Sequence, residues 1–307
     1  MAIILFIIFL RYRVIIKIAN QLVDLNAALL HFRTIYKVEK GKIRLLLIFC
    51  GNTFFCVCLI VCEFFSHHTI FPPIFLFVNV HRIIFSYFLI QYALILTFIE
   101  KRFRGINNAF LKLKKTENEV ECRTYDTPKI PLDRMCIVEI IGLKRSYSFL
   151  YKLCTKIADY YSLGIIIILP YFTAAIITTI YDLILSFLQV EAYKKSMLRR
   201  VVGILWFFIE TFPILALSTC ATSITMEMRK TSDIVQKILY YCSMSNEIRK
   251  ELKHFLLELL HKDFQFTAYN VVSIDSTMLR TMFSAVVTYL IILIQFQVGE
   301  IEKAARD

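Results

Sequence analysis

The segment Met282–Val298 limits the possible folds most strongly, because it is an apolar run without a charged residue. Such a run is long enough to cross the hydrocarbon core of a bilayer, with little to spare. Inside it, the pairs Thr288-Tyr289 and Gln295-Phe296 flank five aliphatic residues. Polar side chains in a lipid-spanning segment are costly unless they face protein or water. The segment therefore predicts a membrane helix with a functional polar face.

The composition indicates an all-α, polytopic membrane helix bundle. Of the 307 residues, 58% are hydrophobic and 20% are charged, and the mean hydropathy is +0.62. Soluble domains have about 45–50% apolar and about 25% charged residues. The net charge of +12 would also suit a nucleic-acid partner. The basic residues lie between apolar stretches, however, as they do in membrane proteins, so we predict no nucleic-acid partner.

The apolar stretches predict five membrane spans and divide the chain into seven segments. The spans are Leu45–Cys62, Ile83–Ile99, Tyr161–Leu188, Val201–Ile224 and Met282–Val298. The segments are a partial helix with a cytoplasmic amphipathic helix (1–44), a transmembrane pair (45–99), a cytoplasmic loop with helical extensions (100–160), a second transmembrane pair (161–224), cytoplasmic anchor helices (225–281), the last transmembrane helix (282–298) and an extracellular tail (299–307). Within the anchor segment, Glu227–Asn270 is predicted to be helical.

The distribution of basic residues predicts the orientation in the membrane. Arg11–Arg44, Glu100–Asp159 and Glu227–Asn270 together hold 28 of the 36 Lys and Arg residues. These three segments fall on one side if the five spans alternate, and an excess of basic residues marks the cytoplasmic side. We therefore predict a cytoplasmic N-terminus and an extracellular C-terminus. The basic cluster within 194–200 is an exception to this bias.

Glu210 is the first candidate for a ligand contact, since it is the only acidic residue well inside an apolar span. An intramembrane carboxylate is costly and is a functional candidate by default. It would line a ligand pocket with Tyr171, Tyr181, Asp182 and Trp206. The alternative is a buried acid that is paired with a basic residue or protonated. His81-Arg82 are predicted to lie near the outer mouth of the second span.

The sequence gives no indication of an enzyme, a metal site or another cofactor. It contains no GxSxG, HExxH, Walker or Rossmann pattern, and its nine cysteines include no CxxC pair. His254, Glu258 and His261 share one helical face, a geometry that a metal site would need. The favoured interpretation is the polar face of an anchor helix, because no fourth ligand is apparent in the sequence.

The terminal pattern of Thr-Tyr, five apolar residues and Gln-Phe resembles the insect gustatory receptor family. Large cytoplasmic helical segments and an extracellular C-terminus also fit that family. Two further groups of residues are similar to it, namely Phe264–Ala268 with Asp275 and Thr281, and Arg102 with Arg104, Ile106 and Asn107. The resemblance extends from about Leu45 to Phe296. It implies a seven-helix insect chemoreceptor, a ligand-gated cation channel of the plasma membrane.

The resemblance also implies partners and roles. The last helix would line the central pore of a homo- or hetero-tetramer that conducts cations, surrounded by membrane lipid. Gln295 and Phe296 would form the outer pore constriction, and Thr288 and Tyr289 would couple the pore helix to its neighbours. The ligand would be a small-molecule tastant in a pocket among the earlier helices. For Gln295, the alternative is an amide that packs helices together.

Two departures from the family pattern affect the function. Sugar receptors tend to carry Glu directly after Thr-Tyr, whereas this chain has Leu290, so a bitter or other ligand is favoured. The family usually has seven spans, whereas five are clear here beside the short apolar start Met1–Leu10, which suggests an N-terminally incomplete sequence. The alternatives are an odorant-receptor-like or G-protein-coupled chemoreceptor, a transporter, or a non-functional truncated family member.

Overall fold

The fold is almost entirely helical in the described part of the chain. The computed structural model describes residues 16–17, 20–21, 42–66, 72–121, 130–187, 197–241, 245–261, 265–269 and 271–304. The long helices are α1 (Lys42–Ser66), α2 (Pro72–Glu121), α3 (Ile130–Phe187), α4 (Met197–Tyr241), α5 (Asn246–His261) and α6 (Ser276–Ala304). Five of them, all except α5, are long and apolar enough to cross a membrane. The all-α membrane bundle predicted from the sequence is confirmed.

Helices α2, α3 and α4 are much longer than a bilayer requires. They contain 50, 58 and 45 residues. At about 1.5 Å per residue, each exceeds the roughly 30 Å hydrocarbon core about twofold or more. The polar stretches at residues 100–121 and 225–241 are therefore direct continuations of apolar spans. Pro170 and Pro213 lie inside α3 and α4 without ending either helix.

The main core forms where α2, α3 and α4 pack together, and it continues to α5. Leu96, Phe103, Leu150 and Ile157 are among its fully buried residues. In α5 the apolar residues recur at helical spacing, and Phe255 packs against aromatic rings of α2 and α3. A second, smaller core joins α1 to α4 through Cys56, Leu59, Val202, Trp206 and Ile209.

A short hairpin leads into the last helix. Strands β1 (Thr267–Ala268) and β2 (Val272–Ser273) pair antiparallel. The turn between them includes Tyr269, whose φ of 50° lies in the left-handed region. The carboxylate of Asp275 then accepts hydrogen bonds from the backbone N–H groups of Thr277 (2.8 Å) and Met278 (3.2 Å), and so caps α6. The prediction of helix throughout Glu227–Asn270 is therefore wrong for β1. There the backbone pairs with β2 instead of forming a helix, and the apolar periodicity of the sequence does not reveal this pairing.

Helix α6 lies at the edge of the bundle. Val286 is buried, and Met282 and Leu290 are partly buried against the main core. In the most apolar stretch of α6 only 17% of the residues are buried, against 61% in that of α2, so most of the apolar surface of α6 is open in a single chain. An apolar helix face that a single chain leaves uncovered needs lipid or another protein surface beside it.

Candidate functional site

A buried ion pair lies at the centre of the candidate site. Nη1 of Arg82, on α2, lies 3.0 Å from Oε1 of Glu210, on α4. The Glu210 side chain has no exposed surface, whereas the Arg82 side chain is 23% exposed. The Thr179 hydroxyl, on α3, donates to Oε2 of Glu210 at 3.4 Å. Both carboxylate oxygens therefore have partners, and three helices meet at one acid.

Tyr171, on α3, occupies a second side of the Arg82 guanidinium. Nε of Arg82 donates to the Tyr171 hydroxyl at 3.2 Å, and this hydroxyl also hydrogen bonds to Nε2 of His81. The rings of His81 and Phe85 contact the Tyr171 ring edge to face. Because a phenolic oxygen has one donor and limited acceptor capacity, two polar partners leave it little free capacity.

Trp206 links this arrangement to α1. The Arg82 guanidinium lies over the Trp206 ring, 5.1 Å from the ring centroid, which is a cation–π arrangement. The indole N–H of Trp206 donates to Oε1 of Glu63, at the end of α1, at 3.2 Å. We call the complete set the Arg82 cluster; it comprises Glu63, His81, Arg82, Tyr171, Thr179, Trp206 and Glu210.

Helical spacing explains how each helix contributes its share of the Arg82 cluster. Trp206 and Glu210 are four residues apart on α4, and Tyr171 and Thr179 are eight apart on α3. Residues at these spacings lie one or two turns apart on the same helical face. Helices α3 and α4 therefore each present two polar groups along one face, toward the Arg82–Glu210 pair.

The structure brings together only part of the predicted ligand pocket. Tyr171, Trp206 and Glu210 meet at Arg82. Tyr181 instead donates to the side chain of Gln297, on α6, at 3.0 Å, and Asp182 is exposed. The pairing of Glu210 with a basic residue, given as the alternative interpretation of this acid, is present.

Sequence reasoning missed the central role of Arg82 and the parts of Glu63 and Thr179. The available signal was a single arginine at the start of a span, opposite a single acid within another span. A basic and an acidic residue that both enter the membrane tend to pair with one another. Glu63 and Thr179 gave no such signal, because hydroxyl residues are common in membrane helices and Glu63 follows its predicted span.

The predicted pore residues lie on the open side of α6. Phe296 is 73% exposed, and Gln295 is also exposed. Tyr289 is 58% exposed, and the Thr288 hydroxyl donates to the carbonyl of Ser284 on its own helix at 2.9 Å. Their roles in a pore remain a prediction, since they concern faces that only an assembly would bring together.

A second ionic site, which we call the Glu100 network, joins α1, α2 and α4; its acids are largely buried, whereas its arginines are partly exposed. Glu100 pairs with Arg44 at 2.8 Å and with Arg104 at 2.7 Å. Glu227 pairs with Arg104 at 3.4 Å and accepts a hydrogen bond from the Asn107 amide at 2.9 Å. The network is completed by further contacts to Ser223, Lys230 and Thr231. Arg104 and Asn107 belong to the group of residues that carried the family resemblance.

The histidine face of α5 contacts a lysine. Nζ of Lys144, on α3, lies 3.0 Å from Nδ1 of His254 and 3.9 Å from Glu258. In the described ranges, no three His, Cys, Asp or Glu side chains are grouped as metal ligands. His254 and Glu258 thus take part in a polar contact between α5 and α3.

One cavity lies apart from the Arg82 cluster. It has a volume of about 370 Å³ and lies between α1 and α2. Its lining is almost entirely apolar and comprises Phe49, Ile84, Tyr87, Phe88, Ile90, Gln91 and Leu94. None of the pocket residues predicted from the sequence lies in this lining.

Comparison with known proteins places this arrangement in a family. A family model described as 7tm Chemosensory receptor matches residues 1–300. The chain belongs to this chemosensory receptor family. The resemblance to insect gustatory receptors is thus confirmed, and the family is one of receptors rather than enzymes. With its membrane-spanning helices, the receptor is a multi-pass membrane protein.

Its curated relatives are gustatory receptors of Drosophila melanogaster. Gustatory receptor 68a is 32% identical over 106 residues, which is 34% of this chain and 26% of that receptor. Gustatory and pheromone receptor 32a is 29% identical over 50% of this chain and 32% of its own length. Putative gustatory receptor 2a is 26% identical over 57% of this chain and 44% of its own length. The matches thus span less than half of each relative.

Solved structures share the fold. The insect olfactory receptor OR5 from Machilis hrabei superposes with a TM-score of 0.54 at 13% identity, covering 91% of this chain and 75% of that one. The same receptor in complex with eugenol gives a TM-score of 0.56 at 13% identity, covering 90% and 74%. At this identity the likeness concerns the fold alone.

Proposed function

We propose that the receptor is a subunit of a ligand-gated, non-selective cation channel that detects a small-molecule tastant. One observation carries this proposal: helix α3 contacts both the Arg82 cluster and the terminal helix α6. Tyr171 and Thr179 bond to the cluster, and Tyr181 bonds to Gln297. A ligand that shifts α3 at the cluster would therefore displace α6 through a direct hydrogen bond.

The pore in this proposal is lined by α6 in a homo- or hetero-tetramer. The open face of α6 supports this arrangement, because the polar amide of Gln295 on that face needs protein or water beside it rather than lipid. Four copies of this face around one axis would bring four Gln295 amides and four Phe296 side chains close to the axis. A constriction formed by the Phe296 side chains can close a pore by dewetting, and the Gln295 amides can line the open path for cations. Thr288 and Tyr289 would then meet a neighbouring subunit.

The ligand site in this proposal is the region of the Arg82 cluster, and the ligand is a bitter or other non-sugar compound. Leu290 in place of an acid supports the second part. The neighbouring structure with eugenol supports a small molecule as ligand, since it holds one on the same fold. The receptor would lie in the plasma membrane with a cytoplasmic N-terminus and an extracellular C-terminus.

Recording of currents from cells that express the receptor, alone and with another family member, tests the proposal. We expect tastant-evoked cation current that persists when G proteins are blocked. The Gln295→Ala variant should keep surface expression and change the relative permeability to cations. A tag after Asp307 should be stained on intact cells. Staining only after permeabilisation, or a current that disappears with G-protein block, would favour a G-protein-coupled receptor instead.

A further inference from the structure

The guanidinium of Arg82 has a hydrogen-bond donor through which the Arg82 cluster can bind a ligand. A guanidinium has N–H donors on Nε, Nη1 and Nη2. Nε is bonded to Tyr171 and Nη1 to Glu210. Among the described residues, Nη2 has no hydrogen-bond partner, and it is not fully buried. The 23% exposure of the side chain therefore includes an open donor edge.

The acceptors around Arg82 are, by contrast, occupied. Glu210 is fully buried and receives bonds on both carboxylate oxygens. The Tyr171 hydroxyl is shared by Arg82 and His81. The unused hydrogen-bonding group at the guanidinium is therefore a donor, so a ligand at this edge must supply an acceptor.

Charge balance restricts the acceptor further. Arg82 and Glu210 form one neutral pair with the acid completely desolvated. Glu63, the second acid of the cluster, is 6% exposed and accepts from Trp206. A further anion on the guanidinium would leave excess negative charge in a low-dielectric site, which is costly. A cationic ligand would face the guanidinium and could reach neither buried acid. Uncharged oxygen acceptors, such as a ketone, ester or ether, meet neither difficulty.

The surroundings of Arg82 are aromatic, which suits an aromatic ligand body. Trp206 lies under the guanidinium and is 6% exposed, and Phe85 packs edge to face on Tyr171. Ligand sites of this kind combine an apolar lining with a few polar groups that fix orientation. We propose that the open Nη2 edge of Arg82 selects uncharged aromatic ligands with a carbonyl or ether oxygen. This inference rests on the proposed ligand site but not on channel activity.

Four phenyl compounds of matched shape provide the test. Acetophenone has a neutral carbonyl, cumene has no polar group, benzoate is an anion and 1-phenylethylammonium is a cation. Each is titrated into the purified full chain in lipid nanodiscs. Binding is followed through the fluorescence of Trp206, the only tryptophan, with correction for probe absorbance. We expect acetophenone to bind about 10- to 100-fold more tightly than the other three, the effect of one hydrogen bond to a charged donor.

Two variants keep the test decisive. Arg82→Met combined with Glu210→Gln removes the donor without leaving a buried charge, and should equalise acetophenone and cumene. Glu210→Gln alone leaves the Arg82 charge without its counter-ion, so the affinity of benzoate relative to acetophenone should rise at least about tenfold. A preference that survives in the double variant would overturn the inference, as would tightest binding of an ion by the unchanged receptor or no saturable binding of any probe. Because this assay reads binding alone, absence of current from a receptor that shows the expected preference would contradict only the channel proposal.

Discussion

The Arg82 cluster and the Glu100 network both pair arginines with buried acids in one bundle, yet their bonding differs. In the Glu100 network each acid has several partners: Glu100 has two arginines, and Glu227 has Arg104, Lys230 and Asn107. In the Arg82 cluster one arginine serves one fully buried acid and retains an open edge. A site with redundant partners suits a structural joint, whereas a site with spare capacity suits recognition. The predictions below test this contrast.

The largest effect is expected from Arg82→Met. It leaves Glu210 buried without its counter-ion, and removal of one partner of a buried pair costs about 3–5 kcal/mol. We expect a marked fall in the thermal unfolding midpoint of the purified receptor, measured in nanodiscs. Adding Glu210→Gln should recover most of the loss. If the single variant were as stable as the unchanged receptor, Glu210 would not be charged when paired with Arg82.

A smaller effect is expected from Arg104→Met in the Glu100 network. Glu100 would keep Arg44, and Glu227 would keep Lys230 and Asn107. We therefore expect a loss of about 1–2 kcal/mol in the same unfolding measurement. Ligand affinity should not change, because none of the described residues of the network belongs to the Arg82 cluster. A loss of stability as large as that of Arg82→Met would contradict the idea that the acids of the Glu100 network are held by several interchangeable partners.

Tyr181→Phe is expected to weaken the connection between the ligand site and α6. It removes the hydroxyl that donates to Gln297, a bond worth about 1 kcal/mol. We expect a fivefold or so shift in the ligand concentration for half-maximal current, with unchanged ligand binding. Gln297→Leu should produce a similar shift, and the double variant should add little to either. Tyr269→Phe, in the exposed hairpin turn, is the matched control, and strictly additive shifts would argue against the coupling.

The smallest effect on stability is expected from Gln295→Ala. The side chain is exposed in the single chain, so the free energy of unfolding should stay within about 0.5 kcal/mol of that of the unchanged receptor. Its effect should appear instead in the ratio of cation permeabilities, measured from reversal potentials. Val298→Ala, also exposed on α6, is the control for a general change of that helix. An unchanged permeability ratio would place Gln295 away from the conducting path.

Several elements of the fold follow from local sequence pattern. The apolar stretches locate the five membrane-crossing helices, because lipid requires long uninterrupted apolar segments. Three buried residues of α5, Leu252, Phe255 and Leu259, likewise recur at helical spacing in the sequence. The hairpin before α6 does not follow in this way, because its pairing joins Thr267 to Ser273 across a turn and leaves no helical signal.

The candidate site was predictable only in its members with unusual chemistry. Glu210 is recognisable because a carboxylate in a membrane span demands a partner. Tyr181 was assigned to the same pocket, yet its hydroxyl contacts Gln297 two residues from the predicted pore residue Gln295. On a helix, residues two apart point in nearly opposite directions, so the rotation of α6 about its own axis decides which of the two amides faces the bundle.

By itself, the sequence determines that this protein is a helical membrane receptor of the chemosensory family, since composition, charge bias and the terminal motif are properties of consecutive residues. Only the tertiary structure decides that Arg82 meets Glu210, a residue 128 positions away on another helix. It also decides which donor edge stays open. The physical reason is that periodicity reports which face of a helix is buried, whereas the depth and rotation of neighbouring helices select the partner.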